Sequence, residues 1–594
     1  MKNRTVIKKL FIPLFLICLV SFSSCKKFLD KDPITDFGPD VAFANEESAF
    51  QTLMGTYAQM AGENVYGKVL SLYMMVDDDA LVGPRYNNAG TLEQADRRSL
   101  AHYSVKPING ELNLPFKQLY TGVERANLCI KYIPQMSGFA SNDNLKRMLG
   151  EAYTLRAQFY FALITNWGDV PAYFTPALDA TDLFAPKEDR DVIYDKLIDD
   201  LKVATDLVKW RSEYPVKDER ITKGAVKGIL ARIALHRGGY SLRKDRTMKR
   251  GDNYLEYYKL AKKECEEIMA SNEHHLNPSY KSVFKDALLA HTIEPNGEIM
   301  FEVAMGGGNG TSSSRMGNYD GPQVYLVSGM QNAIRVLPTF FYSFDSMDLR
   351  RDVISAPYTN NTDVNKYMKN TTIGNISFGK YRLEWMTNPS SFPNNNYNVN
   401  WPLLRYSDVL LMFAEAENEI NGAPTAAAVD AFTKVRLRAF DGHDELIGTT
   451  PTDHDGFFKA IVDERNWEFA GEGIRKYDLI RWNMMASKIA DTKEKLATLV
   501  SGINPYDPFD SIPQSMMYKV NSTTLEFANS FYYKTPSSTP VGYAKANWLA
   551  SYTATTPEYF NYAQFFEPNH SELMPIHQDV INDYQGKITQ DYGY

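Results

Sequence analysis

Leu403-Leu-Arg405-Tyr-Ser-Asp408-Val-Leu-Leu-Met-Phe-Ala-Glu415-Ala-Glu417 is the stretch whose reading decides the fold. Within and just beyond it Val409, Met412, Phe413, Ala416 and Ile420 recur at the i, i+3, i+4, i+7 spacing of a helix with one apolar stripe, and Asn421-Gly422 supplies the stop. A second helical run, Ala426 to Arg438, follows after a short turn, so the two predict a helical hairpin. The pattern recurs upstream. Leu145, Met148, Leu149, Ala152 and Tyr153 follow a cap at Asn142 or Asp143. Val226, Ile229, Leu230, Ile233 and Ala234 end at Gly238-Gly239, where glycine is expected to take the left-handed closing conformation, and Ala225 to Arg237 pairs with Tyr254 to Met269.

Small residues such as Ala231, Ala234, Ala261, Ala414 and Ala416 sit inside these runs and let paired helices approach closely, as in degenerate tetratricopeptide units. The predicted fold class is therefore mainly α: a scaffold of helical hairpins with long irregular loops and minor β. The irregular stretches are 77–115, 303–345, 355–400 and 500–570, rich in Asn, Gly, Ser, Thr, Pro and Tyr. Loops of that length in a compact chain are more often functional than decorative. Aromatics make up 13% of the chain, and many of its 37 tyrosines fall in these loops. A tyrosine offers a flat apolar face plus a hydroxyl, which suits an amphipathic ligand.

Lys2, Arg4, Lys8 and Lys9 precede an apolar run, Leu10 to Val20, too short to span a bilayer comfortably, so residues 1–24 read as a signal peptide. Phe22-Ser23-Ser24 then stand before Cys25, the arrangement in which a lipoprotein cysteine is acylated, and a polar tether follows. With Lys+Arg 64 against Asp+Glu 72 the net charge of −8 sets aside nucleic acid, whose binding needs clustered cations. Cys129 and Cys265 lie in helix-patterned segments, read as buried thiols without metal or catalytic spacing.

Glu464, Arg465, Glu468, Arg475, Asp478 and Arg481 form the densest charged motif. Glu464 and Glu468 share a helix face, whereas a glycosidase sets its two carboxyls about 5–10 Å apart across a cleft. Neighbouring arginines and aromatics predict instead a buried, mutually neutralising network. Asp77-Asp78-Asp79 lacks the alternation of a calcium loop and reads as a solvated loop or cap. Glu273-His274-His275 has the wrong spacing for a zinc helix and reads as a polar helix end. Gly306-Gly-Gly-Asn-Gly310 lacks the Lys-Ser/Thr of a phosphate loop and reads as a turn, and Ser312, Ser313 and Ser314 stand in no nucleophile-elbow context. No catalytic residue, metal ligand or cofactor is expected.

Six ordered signatures carry a family resemblance. Arg156-Ala-Gln-Phe-Tyr-Phe-Ala-Leu runs into Trp167-Gly168-Asp169-Val170-Pro171; Gly224-Ala-Val-Lys-Gly-Ile-Leu-Ala-Arg follows; then come the opening stretch, Val435-Arg436-Leu-Arg438, Glu464-Arg465-Asn-Trp-Glu468-Phe469 and Arg475-Lys-Tyr-Asp478-Leu-Ile-Arg481-Trp482. With the tether Cys25-Lys-Lys-Phe28-Leu29-Asp30 at one end and Glu572 to Tyr594 at the other, the chain resembles the SusD/RagB nutrient-uptake lipoproteins over nearly its whole mature length. His577 and Asp591-Tyr592 depart from the family's closing pattern. The resemblance implies a signal peptide over 1–24, an N-terminal region over 25–225, a helical-hairpin connection over 226–297 and a C-terminal region over 298–594, forming one compact unit. It also implies an outer-membrane lipoprotein, lipidated at Cys25, that binds oligosaccharide at the cell surface without catalysis and delivers it to a SusC-like, TonB-dependent barrel transporter. Trp167 and Asp169 are expected to pack the helix stop. Ligand residues are expected in the loops 77–103 and 315–345, where Arg85, Tyr86, Asn88 and Tyr103 face Tyr319, Asp320 and Gln323 in character, with Trp385 in reserve. A surface glycoside hydrolase and a peptide-binding uptake lipoprotein stay open as alternatives; release of reducing sugar would mark the first.

Overall fold

The computed structural model describes residues 38–74, 76–78, 80–82, 97–217, 219–360, 363–368, 372–506, 512–533, 538–549, 552–553 and 562–594. The longer helices of its first half are α1 (Glu46–Tyr57), α2 (Asn113–Tyr132), α3 (Asp143–Trp167), α4 (Arg190–Leu207), α5 (Lys223–Arg237) and α6 (Tyr254–Ser271). The central α3 starts where the Asn142 side chain accepts the amides of Asn144 and Leu145, settling the choice of cap, and is buried along most of its length between α2 and α4. It ends at Gly168, φ 77°, and the carboxyl-terminal tail closes over that stop. Trp167 Nε1 donates to the Pro575 carbonyl (3.1 Å), and the Asp169 amide donates to the Tyr592 hydroxyl (3.0 Å). The motif Trp167 to Pro171 therefore packs the helix stop as expected.

The second half carries α7 (Pro338–Ser343), α8 (Arg350–Ile354), α9 (Tyr406–Asn421), α10 (Ala426–Ala439) and α11 (His454–Phe469), with α12 (Arg475–Arg481) and α13 (Met485–Val500) after them. The α9/α10 hairpin is as the sequence predicts, and Gly422 closes α9 at φ 69°. Helix α5 stops differently. Gly238 keeps a right-handed φ of −80°, and the glycines are needed for space: a Cβ on Gly238 would lie 2.9 Å from the Tyr254 carbonyl oxygen, and one on Gly239 2.7 Å from Cβ of Arg481. Nor is the α5–α6 link a bare turn, since it carries the small hairpin Ser241–Leu242/Met248–Lys249.

Much of the minor β component lies in the stretches predicted as irregular, while Ile299–Val303 and Trp401–Arg405 fall at or just outside their edges, the latter running into the helix that opens at Tyr406. Strands β1 (Ala80–Val82), β2 (Ile299–Val303), β3 (Ile334–Val336), β4 (Ser355–Ala356), β5 (Ile376–Phe378) and β6 (Trp401–Arg405) precede a late hairpin, β7 (Ser515–Lys519) with β8 (Tyr543–Asn547). An antiparallel sheet runs β1-β3-β5-β4, and β6 pairs with β2. A continuous apolar core, from Phe43 to Ile588, underlies both halves.

The charged motif is a buried lattice. Arg350 bridges Asp348 (2.7 Å), Glu464 (2.6 Å) and Glu468 (3.2 Å). Arg405 holds Glu298, Glu468 and Glu472, and Arg438 reaches Glu298 and Glu468. Arg465 joins Asp408 and Asp478, and Arg481 joins Glu415 and Asp478. Burial pushes the Glu468 carboxyl up, but Arg438, Arg405 and Arg350 overcome it and hold its pKa well below the ordinary range. Two expectations are corrected here. Asp78 is no solvated loop residue: it is buried in a bidentate pair with Arg475 (2.8 and 2.9 Å). His274 is no polar helix end: it is buried, its Nδ1 is 2.7 Å from the Gly297 carbonyl oxygen, and a Cβ on Gly224 would meet its ring. Cys129 and Cys265 are both free and buried, and burial raises both thiol pKa values, that of Cys129 to about 12.

Candidate functional site

At the β4 edge of the sheet a cleft of about 370 Å³ opens between α8, the turn Leu383–Trp385 and the segment Leu525–Tyr532. Each wall is anchored from below. Leu383 is buried and holds the turn down, which leaves Trp385 half-buried at the rim. On the opposite wall Phe531 is fixed edge-on against Phe341 (5.0 Å) and Phe527 (4.8 Å), and its carbonyl accepts the Tyr342 hydroxyl. Asn529 accepts the Met517 amide (2.8 Å), tying this wall to β7. Such contacts fix rotamers before any ligand arrives.

Polar groups stand among the rings. Arg351 donates to Asp352 (2.8 Å) and to the Tyr532 hydroxyl (3.1 Å). The Arg382 guanidinium lies 4.8 Å from the Trp385 ring centre and donates to the carbonyls of Asp352 (2.7 Å) and Ser355 (3.1 Å). Glu384 gathers the Tyr358 hydroxyl (2.5 Å), the Asn360 amide group (3.0 Å) and the Lys366 ammonium (2.9 Å). Ring faces beside fixed donors and acceptors can take a ligand whose surface alternates C–H patches with hydroxyls.

The residues expected to bind ligand divide sharply. Arg85, Tyr86 and Asn88 lie outside the described residues. Tyr103 and Asp320 are corrections. Tyr103 is 8% exposed: its hydroxyl donates to the Val76 carbonyl (2.7 Å) and its ring packs edge-on against Phe566. Asp320 is 3% exposed and closes its own loop, accepting the Gly317 amide (2.6 Å). Burial pushes its carboxyl up to about 7, with backbone amides opposing. Tyr319 is half-buried, edge-on to Tyr73 at 6.1 Å. Gln323 is exposed and near the cleft, since its carbonyl accepts the amide of Asn360, itself bonded to Glu384. The structure thus links Gln323 to the Trp385 cleft and leaves Tyr103 and Asp320 in the core. Reading the sequence missed Tyr358, Lys366, Arg382 and the wall around Phe527 and Tyr532. Arg382-Leu-Glu-Trp385 carried a usable signal, a tryptophan with charged neighbours in a loop; nothing in the sequence joins it to residues about 140 positions later.

Comparison with known proteins matches residues 309–594 to the model of the SusD family and residues 27–235 to a second model, described as starch-binding and associating with the outer membrane. The chain belongs to the SusD-like family. A SusD-like protein of Formosa agariphila is 27% identical over 555 residues, covering 88% of this chain and 98% of its own. Among solved structures, a SusD homologue of Bacteroides thetaiotaomicron superimposes with a TM-score of 0.73 at 23% identity, covering 92% of this chain and 97% of that one. A surface glycan-binding protein A of the same organism, in complex with laminarihexaose, matches with a TM-score of 0.62 at 18% identity over 92% and 99% of the two chains. The two solved structures share their overall fold with this SusD-like chain.

Proposed function

We propose that this SusD-like chain is a non-catalytic surface lipoprotein, anchored through Cys25, that captures oligosaccharide and passes it to a SusC-like, TonB-dependent transporter. The observation that carries the reading is the Trp385 cleft, where preset ring faces and hydrogen-bonding groups occur together on a SusD-like scaffold. Two structural neighbours, the one in complex with laminarihexaose and a laminarin-binding SusD-like protein, support the ligand class. Exposed Gln323 and half-buried Tyr319 would extend the site, and Arg85, Tyr86 and Asn88 are proposed as further ligand residues. Glu464 and Glu468, the carboxylates that a hydrolase reading would use, are both engaged by arginines and buried, which favours binding over hydrolysis.

Capture raises the ligand concentration at a transporter mouth, and a closed placement over the barrel is favoured only as far as ligand binds it more tightly than the open one. Titration calorimetry against an oligosaccharide panel, with a reducing-sugar assay on the same samples, tests the reading. Binding without sugar release is expected; sugar release, or no binding to any glycan, would overturn it. For the anchor, Cys25→Ser should leave the protein soluble or unprocessed, and unchanged membrane fractionation would remove the lipid from the account.

A further inference from the structure

Charge on the lining of the Trp385 cleft sets it apart from the rest of the molecule. Its described residues carry four cationic side chains, Lys281, Arg351, Lys366 and Arg382, against one carboxylate, Asp352, in a chain whose net charge is −8. Two of the four are accounted for. Arg351 holds Asp352, and Lys366 holds Glu384. Lys281 is exposed, 5.8 Å from the Trp385 ring centre, and makes no ion pair with a described carboxylate. Arg382 is 6% exposed, donates to two backbone carbonyls in place of a carboxylate, and leaves its Nε buried without a hydrogen-bond partner among the described residues.

A buried guanidinium without a counter-charge is costly, and proteins ordinarily match it with a carboxylate, as this one does throughout its core. A second large cleft shows that the surplus is not a general property of the surface. It measures about 430 Å³ and is also lined by four cations, yet Arg475 is matched by Asp78, Lys459 by Asp463 and Lys495 by Asp491, and Lys488 stands 3.7 Å from Asp463. Lys366 registers the difference. Burial lowers its pKa, Glu384 opposes the fall, Arg382 and Lys281 add to it, and the result lies below the ordinary lysine value.

We infer that the oligosaccharide taken by the Trp385 cleft is anionic, bearing uronic-acid carboxylates or sulfate esters that meet Lys281 and Arg382 while a sugar face lies on Trp385. The inference rests on the capture reading and narrows its ligand class. An oxyanion there supplies the counter-charge that Arg382 lacks, and a planar guanidinium suits either group through paired N–H donors.

The test is calorimetric titration of the full mature chain with three probes of similar length: an oligogalacturonate, a sulfated galactan oligosaccharide and a neutral laminari-oligosaccharide. At least one acidic probe should bind about tenfold more tightly than the neutral one, and that advantage should collapse between about 20 mM and about 500 mM salt as screening shortens the reach of the cations. The acidic probe that binds tells carboxylate from sulfate. Lys281→Glu, at an exposed position without an ion-pair partner among the described residues, should weaken the acidic probe about tenfold and leave the neutral one within about twofold. A neutral probe that binds as tightly as both acidic ones, or an acidic affinity indifferent to salt and to Lys281→Glu, overturns the anionic inference and leaves glycan capture standing. No binding by any of the three removes the capture reading itself.

Discussion

The helical lattice around Arg405 and the cleft around Trp385 are built from the same side chains, arginine and lysine beside aromatics and carboxylates, and they differ in whether the charges balance. In the lattice Arg350, Arg405 and Arg438 each hold two or more carboxylates at hydrogen-bonding distance, and every member is buried. In the cleft Lys281 and Arg382 are left over. The contrast teaches how to sort charged residues here: balanced, buried groups hold helices together, and unbalanced groups at a rim await something outside the chain.

Breaking the lattice should have the largest effect. Arg465→Ala takes one of two arginine partners from each of two buried carboxylates, leaving Asp408 with Arg232 and Asp478 with Arg481, and should cost about 3 kcal/mol of stability in denaturant titrations, with ligand affinity of the remaining folded protein unchanged. A variant as stable as the wild type would mean that the lattice is not what holds these helices.

The same contrast governs pH dependence. Burial raises the carboxyl of Asp408, yet Arg465 and Arg232 hold its folded pKa below the unfolded one, so its contribution is present at neutral pH and is lost only on strong acidification. Asp320 has no cation partner among the described residues, and burial carries it up to about 7. Its folded form binds the proton more tightly than the unfolded chain, so stability should fall as pH rises from about 4 to about 7, with a slope approaching about 1.4 kcal/mol per pH unit from this group. Denaturation at pH 5 and pH 7.5 measures the fall, and Asp320→Asn should flatten it. An unchanged slope in that variant would place the titration elsewhere, with Glu302, also raised to about 7 by burial, the next group to replace.

On the cleft side, Trp385→Ala should weaken oligosaccharide binding by about 1–3 kcal/mol, the size of a central aromatic contact, with little change in melting temperature. A matching loss of stability would make Trp385 a packing residue. Smallest of all, Lys131→Ala removes an exposed, solvent-screened pair with Asp179 (2.7 Å) and should leave the denaturation midpoint unchanged, which separates the buried lattice from ion pairs as such.

Periodic apolar residues are legible because a helix writes its buried face locally: the stripe from Val409 to Ile420 and its stop at Gly422 can be read without knowing what covers them. The charged core was legible for a similar reason, since arginines alternating with carboxylates among aromatics on two successive helices neutralise one another in few ways. Loop residues gave no such purchase. Tyr103 and Tyr319 look alike in sequence, yet one hydroxyl is tied to the Val76 carbonyl in the interior and the other ring is half-buried. Asp320 sits among glycines and asparagines as a binding residue would, and instead turns inward to close its own loop on Gly317.

The sequence by itself determined the helical hairpins, where their helices end, the neutralised core and the family, because each depends on residues within a few turns of one another or on motifs kept in order, whereas how α5 ends was decided by the space that Tyr254 and Arg481 leave around Gly238 and Gly239. Tertiary structure alone decided the cleft. Its walls come from Lys281, from residues 346–385 and from residues 525–532, which bring four cations together with only Asp352 and the neighbouring Glu384 to balance them. The pairing of Glu384 with Lys366 and of Asp352 with Arg351 decides that Lys281 and Arg382 are the ones left over. Net charge at a site is a sum over neighbours in space, and no local pattern along a chain records which cations will be left without a partner.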